Sequence, residues 1–480
     1  MSNNPGGALS PKQPIKCADR FIDAATLDNM HQAAVEMLVN TGILVEHAGI
    51  REEISRREGF TLSNGRVMIS AERIAACLKY LKANGAARPA RDPDAQLTLG
   101  VDDRASYIVE KDGKTFRPMT RVDAVNSAKL VTMLADRGVS GITTGVPGDV
   151  PAPLIPLDQF MIGAEYSRSG GATSDVCDIF TAGVIRDMNK VCGRGFGRTV
   201  WSPSPLVFGG PEVDICWHFR NEVETIYIGS MPIMGMTGPC DPIGVFTLGA
   251  AECLGNAAIV HELFPKTYVM IGPHPEPVDM SSGVMVFGTP EWDILDLMHR
   301  DVHEYYGTSS GQKLIHTTAS LPGVQAISDH AGSMMLGALH GYTHFSPGGM
   351  LALDEIYSPA LLVLDAEILA HTRRIVRGAW SGGGLGLGDL PGVVAEVIRE
   401  GGVFADHETT VANMRDQYLN PRVLKRLNRS QWESAGKPDE IRAAQEEADR
   451  LVASFNFEPD RRMLKELGTI YEKAKKHLGF

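Results

Sequence analysis

Residues 313–348 carry the side chains whose types and positions are best suited to chemistry. His316 follows a short apolar run, Gln325 lies just beyond the turn that contains Pro322, and His344 lies in a second short apolar run. Imidazole and amide groups at strand ends can bind a substrate or move a proton. The sequence therefore makes His316, His344 and Gln325 the candidate catalytic residues, with satisfied core or loop residues as the alternative.

Aromatic residues near predicted strand ends form a second candidate group. Rings that converge on one point can hold a quaternary ammonium group by cation–π attraction. The alternative is that each ring packs in the core, as most buried aromatic residues do. The candidate substrate cage consists of Tyr107, Trp201, Phe208, Tyr342 and Phe345.

Glu252 interrupts an otherwise apolar segment of small residues, GAAECLGNAA. A carboxylate is costly to bury there unless it has a partner. The sequence leaves two alternatives, since Glu252 is either buried with a partner or faces the site. On the second alternative it joins the candidate substrate-binding residues.

Motifs for metal ions, nucleotides and covalent catalysis are missing from the sequence. His261-Glu262 and His303-Glu304 lack a second histidine at the spacing of an HExxH motif. No GxGxxG or GxxxxGK[ST] motif follows a strand-like run, and no GxSxG nucleophile elbow, which requires a strand before the motif and a helix after it, is found. We therefore expect no metal site and no cofactor bound tightly by this chain.

The elements that must hold these residues alternate between strand-like runs and helical segments after Thr120. Such alternation indicates parallel strands with right-handed crossovers, and seven or eight units fit a TIM (β/α)8 barrel better than a doubly wound sheet. In that fold the carboxyl ends of the strands form the active-site face. Strands are predicted near 139–144, 171–176, 201–208, 229–237, 267–272, 313–317 and 342–346, and helices near 158–167, 181–192, 212–226, 244–263, 291–306 and 326–340.

The predicted α/β barrel has an N-terminal helical and hairpin extension and C-terminal helices. The Asp-Gly pair in EKDGK predicts a β-hairpin that carries Tyr107 and Phe116. The predicted divisions are a loose tail over 1–19, the extension over 20–119, the barrel over 120–376 and the C-terminal helices over 377–480.

The composition is that of a globular protein, with 480 residues, 43% hydrophobic and 22% charged. The net charge of −12 argues against nucleic acid or an anionic membrane as the main partner. No apolar stretch of about 18 residues is uninterrupted, so we predict no transmembrane helix. Seven scattered cysteines without a CxxC pair favour reduced thiols and a cytoplasmic location.

Four segments, in order along the chain, resemble the trimethylamine methyltransferase family. The resemblance spans about residues 20 to 470. It implies a TIM barrel that moves a methyl group from an amine to the Co(I) corrinoid of a separate protein. The segments are PIMGMTGPCDPIGVFTLGAAECLGNAAIVHELFPKT (232–267), DMSSGVMVFGTPEWDIL (279–295), TASLPGVQA (318–326) and NPRVLKRLNRSQWESAGKPD (420–439).

The founding members of that family carry pyrrolysine. Alignment of LPGVQA (321–326) puts His316 at or next to that position, while Thr318 and Ser320 replace an aspartate and a lysine of the family. Members without pyrrolysine are similar to quaternary-amine demethylases. The resemblance therefore implies a glycine betaine-type methyltransferase that uses the corrinoid (cobalamin) of a cognate partner protein.

Several alternatives remain open at this point. The substrate could instead be proline betaine, carnitine or choline, or the chain could be a non-catalytic betaine-binding barrel. A third class is an unrelated barrel lyase or hydrolase that uses a carboxylate or a metal ion. The expected partners are a corrinoid protein and a small quaternary amine, and the sequence leaves a homo-oligomer open.

Overall fold

The computed structural model describes residues 20–87, 96–173, 176–308, 312–376 and 389–480. The predicted loose tail over 1–19 lies outside the described residues. So does most of the glycine-rich segment 378–392, including all but the last residue of GLGLGD.

The N-terminal part combines three helices with a small sheet. The Asn64-Gly65 pair joins two antiparallel strands, and both residues have positive φ angles, 50° and 78°, which suit a two-residue hairpin turn. The elements are α1 (Ala24–Asn40), β1 (Ile43–Val45), α2 (Ala48–Ile54), β2 (Phe60–Ser63), β3 (Arg66–Ile69) and α3 (Ala71–Ala86).

The middle of the chain alternates strands and helices, as the sequence predicts. The elements are β4 (Thr98–Gly100), β5 (Tyr107–Val109), β6 (Phe116–Pro118), α4 (Arg121–Met133), β7 (Val139–Ser140), α5 (Ile155–Tyr166), α6 (Ile179–Val191), β8 (Gly197–Ser202), β9 (Val207–Phe208), α7 (Pro211–His218), β10 (Thr225–Ser230), α8 (Pro242–Leu263), β11 (Tyr268–Pro273), β12 (Val278–Asp279), β13 (Val284–Met285), α9 (Pro290–Tyr305), β14 (Gln312–Leu314), α10 (Val324–Leu339), β15 (His344–Ser346), β16 (Met350–Leu351), β17 (Ile356–Tyr357) and α11 (Pro359–Val376).

Parallel strands from this region form two arcs. One arc has the order β14-β15-β4-β7 and the other has the order β11-β10-β8. This order follows the chain around a circle, as a (β/α)8 barrel requires. Within the described residues no strand pairing joins β7 to β8 or β11 to β14. A mixed α/β fold is therefore observed, and its closure into a barrel stays a prediction.

Strand β4 pairs with β7 and β15 in the first arc, although the predicted divisions place residues 98–100 in the extension. The predicted strand over 171–176 would fill the gap between β7 and β8, but residues 174 and 175 lie outside the described part. The predicted hairpin is confirmed, since β5 pairs antiparallel with β6. The prediction of one helix over 212–226 is wrong, because α7 ends at His218 and β10 begins at Thr225.

Helix α8 packs most of its surface into the core. Its residues from Val245 to Val260 are buried, in one cluster with Ile226, Ile228 and Ile271 of the neighbouring strands. By length and composition it is the one described helix that could cross a membrane, but 89% of its most apolar window is buried within the protein. Burial of this kind is that of a core helix.

The long C-terminal helices pack in two places, since the one over Glu440–Ala453 lies against α4 and α11 and the one over Arg461–His477 lies against α5 and α6. Helix α11 packs against α10 and against a later helix, and Ala444, Ala448 and Leu451 are buried in the core cluster that also contains Leu99 and Phe345. The elements are α12 (Leu390–Arg399), α13 (Glu408–Gln417), α14 (Arg429–Ser434), α15 (Glu440–Ala453) and α16 (Arg461–His477).

Candidate functional site

Two glycines on neighbouring strands make room for the rings of the site. Trp201 of β8 is in register with Gly229 of β10, which is in register with Gly272 of β11. A Cβ atom at Gly229 would overlap the Trp201 ring, and one at Gly272 would overlap the hydroxyl of Tyr227. Because side chains alternate along a strand, these rings lie on the face opposite the isoleucines that contact α8.

His316 lies two residues after β14 and is held by three neighbours. Its ring stacks on Phe287 with 4.3 Å between the ring centroids, and the ring of Trp292 lies edge-on at 5.8 Å. Its Nδ1 atom is 2.9 Å from Oδ1 of Asp354. Asp354 has a φ of 69° in the turn between β16 and β17, so the backbone turns sharply to bring this carboxylate to the ring.

Glu276, three residues after β11, is buried beside this group. Its Oε2 atom accepts a hydrogen bond from the indole N–H of Trp292 at 2.9 Å. Burial raises the pKa of Glu276 well above its ordinary value, and the nearby carboxylates of Asp296 and Asp354 raise it further. A protonated or partly protonated carboxyl group would ionise when a cation arrives.

Asp102 follows β4, which belongs to the same arc as β14, and it lies near the His316 group. Burial raises the pKa of Asp102 to about 6, against the opposing effect of the Arg104 guanidinium. Asp354 raises it further and His316 lowers it, which puts Asp102 within electrostatic reach of both. Carboxylates and rings thus lie close together near the strand ends, and groups of these types favour a small cation.

Lys313 lies behind this site, on the side of the outer helices. Its side chain is 0% exposed, and Nζ is 2.9 Å from an oxygen of Asp293 and 2.8 Å from one of Asp296, both on α9. The ammonium also lies 4.4 Å from the centroid of the Trp292 ring. These contacts fix α9 against β14 and thereby position Trp292.

Three histidines meet between β11 and α9. The Nε2 atoms of His274 and His299 are 3.1 Å apart, and the His299 and His303 rings have centroids 3.6 Å apart. The Tyr227 hydroxyl lies 2.8 Å from Nε2 of His274. One nitrogen from each histidine lies within 4.8 Å of the others, so these residues could hold a metal ion.

Sequence reasoning missed this cluster. The signal was present, since His299 and His303 are four residues apart in HRDVH and so lie on one face of a helix. HRDVH does not match the HExxH motif, because an arginine rather than a glutamate follows its first histidine. His274 could not be added from spacing, because its approach depends on how α9 packs on β11.

Three of the predicted site residues lie where they could act. His316 lies in the group with Asp354 and Trp292. Trp201 is 37% exposed, and its ring lies edge-on to that of His274 with 5.6 Å between the ring centroids. His344 starts β15, and its Nδ1 atom is 2.7 Å from the Thr98 hydroxyl. A Cβ atom at Gly100 would approach its Nε2 atom, so the ring faces the inner side of the first arc.

The placement of three predicted cage rings is wrong. Phe208 is 1% exposed in the core beside β1, because β9 continues the N-terminal sheet rather than an arc. Phe345 is fully buried against α10, where Gly337 makes room for it. Tyr342 is also fully buried, and its hydroxyl donates to the backbone oxygen of Asp296. All three rings are buried in the core, away from the group around His316.

The other predicted residues have mixed positions. Glu252 is fully buried with partners, as its oxygens accept from the Ser204 hydroxyl and the Leu206 N–H at 2.8 Å each. Burial raises the pKa of Glu252 to about 7. Its placement as a substrate-binding residue is therefore corrected, and it holds the loop after β8. Tyr107 is 38% exposed, and its ring lies edge-on to that of Phe116 with 5.8 Å between the ring centroids. Gln325 is exposed in the first turn of α10, and its role stays a prediction.

The fold and the site define an α/β protein with a polar and aromatic site at the carboxyl ends of parallel strands. The chain belongs to the trimethylamine methyltransferase (MTTB) family, whose model matches residues 10–478. It is therefore a methyltransferase of that family, as its sequence segments predict.

The chain is similar to particular relatives at low identity. It is 24% identical over 450 residues to the glycine betaine methyltransferase of Desulfitobacterium hafniense (strain Y51). The aligned residues cover 89% of this chain and 90% of that protein. It is 25% identical over 255 residues to trimethylamine methyltransferase MttB of Methanosarcina barkeri (strain Fusaro / DSM 804). The aligned residues cover 52% of this chain and 49% of that protein.

The fold is similar to that of a methyltransferase structure that has been solved. The crystal structure of the hydroxylamine complex of MtmB aligns with a TM-score of 0.50 and 10% identity, covering 97% of this chain and 89% of that chain. At this identity the likeness concerns the fold alone.

Proposed function

We propose that this chain moves a methyl group from a quaternary amine, with glycine betaine as the first candidate, to the Co(I) corrinoid of a partner protein. The observation that carries the proposal is the set of carboxylates and rings around His316, because a fixed cation is the ligand that such a set favours. The similarity to a glycine betaine methyltransferase over 89% of the chain supports the same reaction class.

A quaternary ammonium group cannot donate a strong hydrogen bond, so it is held by charge and by ring faces. Glu276, Asp102 and Asp354 supply negative charge in a largely buried setting, where Coulomb attraction is stronger than in water. Phe287, Trp292 and Trp201 supply rings. The proposed cation site lies among these residues.

Methyl transfer from a quaternary amine requires little from this chain beyond binding the substrate. The partner's corrinoid, as Co(I), supplies the nucleophile that takes the methyl group. The electron pair of the broken C–N bond stays on nitrogen, so a neutral tertiary amine leaves and no proton donor is needed. The residues of this chain orient the substrate and exclude water, which is where binding energy lowers the barrier.

The loops above the site suit the approach of a partner. Met236, Met280 and Val324 are 58%, 67% and 90% exposed, and they belong to segments that follow β10, β11 and β14. Exposed apolar side chains are typical of interaction surfaces when they lie on one face of a protein. We propose that the corrinoid protein covers this face during methyl transfer.

The test is a methyl-transfer assay with the purified chain, Co(I) cobalamin and a panel of quaternary and tertiary amines. Methylation of cobalamin, followed by absorbance, is expected with glycine betaine or another quaternary amine. Binding of the amine without any methylation, also in the presence of a cognate corrinoid protein, would make the chain a binding protein. Transfer from trimethylamine at the rate of the best quaternary amine would contradict the proposed substrate class.

A further inference from the structure

The histidine cluster of His274, His299 and His303 is not used by the proposed methyl transfer. Its ring centroids are 3.9 Å apart for His274 and His299, 3.6 Å for His299 and His303, and 5.4 Å for His274 and His303. The proposed cation site is formed by rings and carboxylates, and these three imidazoles are not among its residues. The cluster could therefore bind a ligand other than the amine substrate.

The spacing of the nitrogens suits a transition-metal ion. Zinc–imidazole bonds of about 2.0–2.1 Å in a tetrahedral site set the ligand nitrogens about 3.3 Å apart. The Nε2 atoms of His274 and His299 are 3.1 Å apart, and the widest separation among the three ligand atoms is within 4.8 Å. Small side-chain rotations would bring all three nitrogens to the distances that a metal ion requires.

The scaffold holds two of the ligands in a fixed arrangement. His299 and His303 are one helical turn apart on α9. The ion pair between Lys313 of β14 and Asp296 of α9 holds that helix against the strand. Residues four apart on a helix project from the same face, which is the common way to present two imidazoles to one ion. His274 completes the set from the end of β11.

We propose that His274, His299 and His303 bind one divalent transition-metal ion, with zinc as the probe. Imidazole suits zinc, cobalt and nickel, and three protein ligands leave the fourth tetrahedral position for water or a small ligand. His274 is partly exposed while the other two are buried, so an ion enters from the His274 side. This differs from the sequence expectation of no metal site, and it stands independently of the proposed methyl transfer.

The experiment uses the untagged full chain, incubated with zinc and then freed of unbound ion. Elemental analysis is expected to find about one zinc per chain, and cobalt added in its place is expected to give the visible absorption of a tetrahedral site. The H299Q/H303Q variant should hold less than about a tenth of the wild-type metal, because one ligand cannot replace three.

The matched control is H261Q, because His261 is a partly buried histidine outside the cluster. Its ring stacks on Tyr80 with 4.1 Å between the ring centroids. It should bind zinc as the wild type does. The H274Q variant changes the partly exposed ligand and decides the question if the double variant does not fold. A wild type without zinc, or cluster variants that bind zinc as well as H261Q, would overturn the proposal.

Discussion

The Nδ1 atom of His316 lies 2.9 Å from Oδ1 of Asp354, although the two residues are 38 positions apart in the chain. A carboxylate at this distance fixes the proton on Nδ1 and the orientation of the ring. The other side of the ring stacks on Phe287 at 4.3 Å. His316 is therefore held in one orientation beside the proposed cation site.

Replacing Asp354 with asparagine should slow methyl transfer while leaving the fold intact. Asparagine tolerates the φ of 69° at this position, so no backbone strain is added. The loss of a charge-assisted hydrogen bond of about 1.5–3 kcal/mol corresponds to roughly a tenfold to hundredfold lower kcat/KM. The measurement compares D354N with E355Q, which changes the exposed neighbour. Equal rates for both variants would show that the contact does not matter to the reaction.

The affinity for a quaternary amine should rise with pH through about 6. Burial raises the pKa of Asp102 to about 6, and a cation binds the ionised carboxylate more tightly than the protonated acid. Protonation below that pKa removes the attraction, so the dissociation constant falls as the pH increases. Isothermal titration calorimetry between about pH 5 and pH 8 measures this change.

The D102N variant is the control for that pH dependence. In D102N the affinity for the amine should no longer increase near pH 6. At all pH values the variant should bind the amine as weakly as the wild type does when its Asp102 is protonated. If the variant keeps the full increase, the titrating group is another residue, and Asp102 does not contact the substrate.

The sequence was a good guide to local structure. The Asp-Gly turn of the hairpin, the alternation of strands and helices and the extent of α8 all depend on neighbouring residues, and they are found close to where they are predicted. The error at 212–226 has a local cause as well. A short helix and a strand separated by the charged turn at Arg220–Glu224 were interpreted as one helix.

The site was harder to predict, because it depends on which face of a strand looks inward. Phe345 lies next to His344 in the chain, but its ring is buried towards the outer helices while His344 points inward. A shift of one residue in a strand exchanges its two faces. The contacts of His316 with Asp354 and of Trp292 with Glu276 join distant parts of the chain, and no local pattern indicates them.

Replacing Lys313 with methionine should destabilise the protein by about 3–5 kcal/mol, because it leaves the buried Asp296 without a cationic partner. Urea unfolding measures the loss. The control K190M removes a lysine that is 62% exposed and pairs with Asp187, so its effect should stay below about 1 kcal/mol. Adding D296N to K313M should restore part of the stability. Equal effects of K313M and K190M would contradict a structural role for the buried pair.

Replacing Trp201 with leucine should weaken binding of a cationic head group more than that of a neutral one. Trp201 is 37% exposed, with its ring near His274 and Tyr227, so it can offer a face to the substrate. A desolvated cation over an indole ring gains about 2 kcal/mol, which corresponds to roughly a thirtyfold loss of affinity for glycine betaine in W201L. The tert-butyl analogue keeps the carboxylate and the shape but carries no positive charge, so its affinity should change much less.

The control for W201L is F208L, since Phe208 is 1% exposed in the core beside β1. A smaller residue there should lower the stability of the fold, because it leaves a cavity, but it should not alter the ratio of the two affinities. Calorimetry with both ligands gives that ratio for each variant. If W201L weakens glycine betaine and its tert-butyl analogue equally, the ring is only an apolar wall and the cation is held elsewhere, by Trp292 and the carboxylates around His316.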